Sequence, residues 1–500
     1  MAIWHYITQL FTKIADYTQL KVEYLLLPLI LGLAYYIGFI PHQNYPYVVH
    51  LDEWVHMACA NQIMTNAGIS GLTDPFTGGT AIMNQSYEIG FHVFWGVFHQ
   101  ISGLSWMTIY RYFPGIIFMF TVLSVYILCR RQGFGWEAAL FTTLIPTTVG
   151  ILGPGFLVPV SLGIFFMPLC FFLALHHESW WSYAAFLVLI VFLVTLHGAT
   201  AVGVVFLLLP FVIISLFSDF KHSMFVLFVL LLPFLALFLL MPNMIVPHSQ
   251  NLMITQPDVR TGVVEVPVLF KAYGYLPLVF CLLGIIATGI KGNRNDISLA
   301  LGLLLLLTML VIYFNFHYGI GIMYYRGLLF MMLMTSIIAG KGLMEVKNLK
   351  VPEAMRERLK LPGFTRNIGY AICVIMICVI LIVCIPVRQR TPYYHMIDNV
   401  DYESFVWIKE NLDSQYDKAI LDPWKGSAFT AITGKKVYTW ISAAPLAGDQ
   451  EVYQFLGAAC DNTTFIKDKG ASFVYTRGDV RNPDLVKVRD YVYLLKETDT

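Results

Sequence analysis

Two stretches decide the fold: residues 224–240, MFVLFVLLLPFLALFLL, and residues 297–314, ISLALGLLLLLTMLVIYF. Each runs close to the roughly 20 apolar residues that cross a bilayer core. Backbone N–H and C=O groups find no water in lipid, so such a stretch must close its hydrogen bonds internally, as a helix does. The rest of the composition agrees. The chain is 57% hydrophobic and 13% charged, with a mean hydropathy of +0.67, whereas ordinary soluble domains are roughly 25% charged.

Working outward, comparable runs lie at 22–40, 109–128, 136–149, 157–175, 181–196, 199–216, 276–290, 322–339 and 368–385, about eleven crossings in all. Residues 1–19 place apolar side chains at helical spacing and are expected to lie along the membrane surface. No small-residue cleavage pattern follows, so the first crossing is expected to stay as an anchor. Short cytoplasmic loops carry an excess of Lys and Arg. In an eleven-crossing arrangement Arg130, Arg131, Lys221, Lys291, Arg294, Lys341, Lys347, Lys350, Arg356, Arg358, Lys360 and Arg366 all fall on one side. That side is read as the cytoplasm, giving a multi-pass plasma-membrane protein with a cytoplasmic N-terminus.

The outer face then receives the loop 41–108, the loop 242–267 and everything after Pro386. Within the first outer loop, 52–66 and 87–101 read as helices suited to the interface, the first with Asp52 as its cap. From about residue 387 the chain turns polar and ordinary in composition. Apolar Phe405, Ile408 and Leu412 share a helix face, and short strands are expected at 419–421, 437–439, 472–475 and 491–495. The expected organisation is a transmembrane module over 1–386 and an extracytoplasmic α/β domain over 387–500.

A net charge of +1 argues against nucleic acid as a partner. The eight cysteines fall mostly inside apolar runs without metal-ligand spacing and read as packing residues. Chemistry is concentrated instead in His50-Leu51-Asp52-Glu53-Trp54-Val55-His56, just after the first crossing. A carboxylate there can take the proton of an attacking hydroxyl, a contribution of about 10² to 10⁴ in rate. Asp52 is the expected base and Glu53 the second choice. Both also suit a plain helix start, Asp52 as cap and Glu53 against the helix dipole. His50, His56 and His92 are further candidates, although such histidines also serve as surface or packing residues.

An acidic pair after the first crossing, followed by a helix running through Ala58 and Ala60 to Gly68, resembles the GT-C superfamily of membrane glycosyltransferases. Phe91-His92, Ser102-Gly103, Arg111-Tyr112-Phe113-Pro114 and Arg130-Arg131 are similar to the segment leading into that family's second crossing. Trp407-Ile408-Lys409-Glu410-Asn411, Asp422-Pro423-Trp424-Lys425-Gly426 and Ile432-Thr433-Gly434-Lys435-Lys436-Val437 look like the outer domain of its archaeal and oligosaccharyltransferase-like members. The resemblance implies a polyprenyl-phosphate sugar donor, inversion at the sugar carbon, a protein, glycan or lipid acceptor, and a role as base for Asp52.

Two departures matter. The oligosaccharyltransferase Trp-Trp-Asp-Tyr-Gly motif is missing, and the second outer loop, 150–156, contains no carboxylate. Hard divalent cations want several oxygen ligands, so no cofactor is expected to be required. A metal is possible through Asp52, Glu53 and Glu265 but not favoured. A leaving phosphate needs cationic stabilisation, and Arg326 is the first choice because a guanidinium grips phosphate bidentately. It equally suits an interfacial anchor. Arg111, Arg260 and Lys271 follow. The rival reading is a lipid or sugar transporter, but the crossings carry almost no ionisable residues away from their ends, unlike coupled transporters. A third is an inactive scaffold whose outer domain binds a partner.

Overall fold

Each apolar run expected to cross the membrane is helical over at least part of its length in the computed structural model. Residues 19–79, 88–148, 150–176, 179–240, 266–320, 324–349, 368–391, 393–441 and 447–496 are described. The surface segment expected at 1–18, Glu265, Arg260 and the lysine- and arginine-rich stretch 350–367 lie outside them. The helices up to the last apolar run are α1 (Gln19–Phe39), α2 (Leu51–Thr65), α3 (Ile89–Ser102), α4 (Trp106–Arg130), α5 (Gly135–Thr142), α6 (Pro159–Leu175) and α7 (Trp180–Leu196). They continue with α8 (Gly198–Leu216), α9 (Phe220–Leu240), α10 (Val266–Tyr273), α11 (Tyr275–Lys291), α12 (Arg294–Phe316), α13 (Tyr324–Lys347) and α14 (Ile368–Gln389). Among the described residues seven helices are long and apolar enough to cross a bilayer, and α6, α7 and α11 are shorter apolar helices.

The chain divides into two compact units, one of Met1–Ile40 with Phe113–Pro392 and one of Pro41–Tyr112 with Tyr393–Thr500. In the first, α13 is the core helix: 94% of its apolar window is buried, against 28% for α9. It packs on α11 with backbone almost touching backbone, because a Cβ at Gly342 would collide with the carbonyl of Phe280 and one at Gly284 with that of Ile338. Small residues let membrane helices gain dispersion contact in this way. Charge pairs gather at one end of this bundle. Lys341 Nζ lies 2.8 Å from Asp296 Oδ2, Lys347 pairs with Glu137, and Arg130 Nε lies 3.6 Å from Glu23 Oε1. Lys341 and Lys347 belong to α13 itself, which runs past the end expected at residue 339.

The run 136–149 departs most from expectation, since α5 spans only 8 residues, about 12 Å of helix. Thr142 Oγ1 donates to Ala138 O at 2.8 Å and Thr143 Oγ1 to Leu140 O at 2.7 Å, and Pro146 has no N–H to continue the ladder. The following irregular stretch is buried at Leu144, Ile145, Ile151, Leu152 and Phe156. Side chains satisfy part of its backbone, as buried polar groups require: Gly155 N donates to Thr147 Oγ1 at 2.8 Å, and buried Arg388 of α14 donates to Leu144 O.

The second unit joins Pro41–Tyr112 to the C-terminal chain. The latter adds α15 (Asn399–Asn411), α16 (Gly426–Thr433), α17 (Ala447–Gly457) and α18 (Thr463–Asp468). Its strands are β1 (Lys418–Ile420), β2 (Lys436–Val437), β3 (Phe473–Tyr475), β4 (Leu485–Arg489) and β5 (Val492–Leu495). They form a five-stranded sheet in the order β2-β1-β3-β5-β4. β1 pairs in parallel with β2 and β3, while β5 pairs antiparallel with β3 and β4. Phe405 and Ile408 of α15 are buried as their spacing foretells.

Loop and domain are tied by specific bonds. Tyr45 Oη donates to Ile397 O at 2.6 Å, Tyr47 Oη to Asn399 Oδ1 at 2.8 Å, and Asn61 Nδ2 to Ala431 O at 3.1 Å. Val437 N donates to Phe76 O at 2.7 Å, and the Phe76 ring packs 4.3 Å from Trp440. α2 is consequently buried on most of its surface, Leu51 and Trp54 through Ala60 included. It is a core helix of this unit, where the sequence suggested an amphipathic one at an interface.

Candidate active site

α2 begins at Leu51, and its cap lies two residues earlier than expected. His50 is the N-cap, with extended backbone, and its Nδ1 accepts from Asp52 N at 3.1 Å. Glu53 is fully buried and its Oε2 accepts from His50 N at 3.0 Å, closing a reciprocal capping arrangement. The capping duty expected of Asp52 is thus carried by His50 and Glu53, because an imidazole nitrogen can accept as a cap oxygen does. The Asp52 side chain is left partly exposed on the first turn, where the helix dipole favours negative charge.

Around Asp52 the unit supplies aromatic rings. Burial and the nearby Asp52 charge both raise the Tyr394 phenol above its ordinary range. The Tyr394 ring lies 5.5 Å from that of His50 and 5.3 Å, edge-on, from that of Trp424. Trp424 sits on a short 3-10 turn, Pro423–Lys425, capped by Asp422, whose Oδ1 accepts from Trp424 N at 3.0 Å and from Tyr453 Oη at 3.2 Å. Two motifs read separately in the sequence, His50–His56 and Asp422–Gly426, therefore meet through Tyr394. That tyrosine follows the last apolar run without any motif of its own, and only its contacts reveal it.

His56 and His92 are brought together by α2 and α3, with Nδ1 of the first 2.9 Å from Nε2 of the second. Burial pushes His92 down to about 3, so it is neutral at ordinary pH and one ring donates to the other. Glu88 Oε2 lies 3.9 Å from His56 Nε2. No group of three or more His, Cys, Asp or Glu that could hold a metal ion occurs among the described residues.

The cationic candidates separate. Arg111 belongs to the same unit as Asp52. Its guanidinium lies 5.5 Å from the Tyr112 ring centroid, and its buried Nε has no hydrogen-bond partner among the described residues. Arg326 and Lys271 belong to the helical unit. Arg326 is half-buried on the first turn of α13, within electrostatic range of His197 at the α7–α8 junction. Lys271 is exposed on α10.

The remaining motifs have structural work. Gly434 has a positive φ of 73° and ends α16, its N–H donating to Thr430 O at 2.8 Å. Lys425 binds both oxygens of buried Asp401 at 2.8 and 2.9 Å. Tyr475 Oη donates to Asp401 at 2.7 Å and Arg477 pairs with it at 2.8 Å. The sequence reading missed this network, since Asp401 lies far along the chain from all its cationic partners.

Solved structures share the fold. The chain aligns with archaeal oligosaccharyltransferase AglB from Archaeoglobus fulgidus, in complex with an inhibitory peptide and a dolichol-phosphate, at a TM-score of 0.62 and 11% identity, covering 91% of this chain and 69% of that one. A second Archaeoglobus fulgidus oligosaccharyltransferase structure is tethered to an acceptor peptide containing the NVT sequon; it aligns at 0.55 and 13%, covering 91% and 69%. A third, in complex with Zn and sulfate, aligns at 0.57 and 12%, covering 89% and 67%. At these identities the likeness is one of fold. No protein-family model and no curated protein matches the chain.

Proposed function

We propose that the protein is a membrane glycosyltransferase that moves a sugar from a polyprenyl-phosphate donor to a nucleophile on the outer face, with Asp52 as general base. The observation that carries this reading is the contrast within the first turn of α2. Glu53 is buried and bonded to His50 N, while Asp52 keeps partial exposure beside Tyr394 and the Asp422–Gly426 segment. The fold shared with oligosaccharyltransferases supports it.

In this reading a hydroxyl or similar nucleophile of a protein, glycan or lipid acceptor gives its proton to Asp52 as its oxygen attacks the anomeric carbon. The bond to the donor phosphate breaks on the opposite side, so one displacement inverts the sugar carbon. Charge grows on the departing phosphate, and a guanidinium stabilises it more strongly in the transition state than in the ground state. Arg326 is proposed for that role, with Arg111 the alternative because its buried Nε has no hydrogen-bond partner among the described residues. The structure offers no fitting set of metal ligands among the described residues, and no step is routed through a metal. About eleven crossings, a cytoplasmic N-terminus and an outer second unit complete the proposed arrangement, with the charged end of the helical bundle on the cytoplasmic side.

Purified protein supplied with a polyprenyl-phosphate sugar and its acceptor tests the reading. Asp52→Ala is expected to lose about 10² to 10⁴ in transfer rate. Wild-type transfer by that variant would remove Asp52 as the base. For Arg326→Ala the expected change is weaker donor binding, read by titration, and an unchanged affinity would transfer the role to Arg111.

A further inference from the structure

At the C-terminal end of α4 four residues on adjacent helical rows, Tyr126, Ile127, Arg130 and Arg131, join Phe172 of α6 around a cavity of about 350 Å³. Positions 126 and 130, and 127 and 131, are each one turn apart, so each arginine follows an apolar neighbour on its own row. The Arg130 guanidinium lies over the Tyr126 ring at 5.7 Å and that of Arg131 over the Phe172 ring at 5.9 Å. Aromatic faces hold planar cations in place. The carboxylate nearest Arg130 is that of Glu23, at 3.6 Å, and the Arg130 side chain is still 45% exposed, so this pair is weak.

The cavity has an apolar side as well as a cationic one. Tyr126 is buried, Ile127 is exposed, and Phe120, two turns back on the same helix, is exposed too. The interval from Phe120 to Ile127 covers about 10 Å along the axis. A free phosphate needs only the guanidiniums, whereas a phospholipid uses both the cations and the apolar strip leading away from them. Basic pockets beside membrane helices take anionic head groups in this manner.

We propose that this cavity binds an anionic phospholipid, its phosphate between Arg130 and Arg131 and an acyl chain along Ile127 and Phe120. The site lies in the helical unit and takes no part in the transfer chemistry proposed for Asp52. Its test reads no transfer activity, so it stands or falls separately from the glycosyltransferase reading.

Full-length protein in a neutral detergent is titrated with phosphatidylglycerol, phosphatidylcholine or inorganic phosphate, with binding followed by native mass spectrometry and thermal melting. Phosphatidylglycerol is expected to bind and raise the melting temperature more than either control. Arg130→Gln with Arg131→Gln is expected to weaken it by about tenfold or more, and the double lysine variant to keep part of the affinity. Equal binding of phosphatidylcholine, or wild-type affinity in the double glutamine variant, would overturn the proposal. Inorganic phosphate alone matching the lipid would overturn it in favour of a soluble anion. Should the glutamine variant fail to fold, Ile127→Ser leaves the charges intact; undiminished phosphatidylglycerol affinity in that variant would refute the lipid, and reduced affinity would support it.

Discussion

In the helical unit the buried carboxylates form ion pairs, Asp296 with Lys341 and Glu137 with Lys347, while helix meets helix through apolar side chains and bare glycine backbone at Gly284 and Gly342. In the second unit Glu53 and Asp401 are buried on the first turn of a helix. Glu53 accepts from His50 N, and Asp401 accepts from Asp398 N, Lys425 Nζ and Tyr475 Oη and pairs with Arg477. In both places a buried carboxylate tied to a cation or an N–H is fixed and holds the fold. Asp52, adjacent to one such carboxylate, keeps partial exposure and is the residue proposed to exchange a proton.

Breaking the Asp401 network should have the largest effect on stability. Lys425→Met leaves Asp401 buried without one of its cations, and removing one partner of a buried pair costs about 3 kcal/mol or more. Hydrogen exchange over residues 399–411 of the full chain should accelerate accordingly. Gly342→Val attacks the other unit by driving side-chain atoms into the Phe280 carbonyl. Overpacking of this kind costs about 1 to 3 kcal/mol, and should lower the melting temperature while leaving exchange in 399–411 unchanged. Glu53→Ala removes a cap bond, a loss of about 1 kcal/mol, visible as faster exchange at the start of α2.

The smallest effect concerns acid. Pairing with Arg477 holds the Asp398 carboxyl well below the usual carboxylate range. Its stabilisation is complete above the unfolded value of 3.8 and fades as pH falls below that, because the unfolded chain then binds the proton more readily. Both side chains are substantially exposed, so the contribution is small. Arg477→Ala should flatten the loss of protection at the start of α15 as pH falls below about 4. An unchanged profile would show that the pair contributes nothing there.

Much of this was legible in the sequence, and the gaps have physical causes. Apolar length announced the helices because lipid leaves the backbone no alternative. It could not announce the end of α5, where threonine hydroxyls return to the helix backbone and Pro146 stops it. Phe405 and Ile408 reported their buried face directly. Strand β4, with the sequence Leu485-Val486-Lys487-Val488-Arg489, was not expected, since its mostly exposed edge position lets it carry charge. At the site, the cluster from His50 to His56 was visible as composition, but its division of labour was not. Which of two adjacent carboxylates is spent on a cap depends on a backbone angle at His50, and the approach of Tyr394 depends on how the C-terminal chain folds against the first loop.

The central claim is that Asp52 does chemistry while Glu53 holds structure. Its most direct test is single-turnover transfer from a polyprenyl-phosphate sugar by Asp52→Asn and Glu53→Gln, with the melting temperature of each measured alongside. Asp52→Asn is expected to melt as wild type and to transfer about 10² to 10⁴ times more slowly; Glu53→Gln, which keeps an acceptor oxygen for His50 N, is expected to retain most of the rate. Transfer at the wild-type rate by Asp52→Asn would contradict the account.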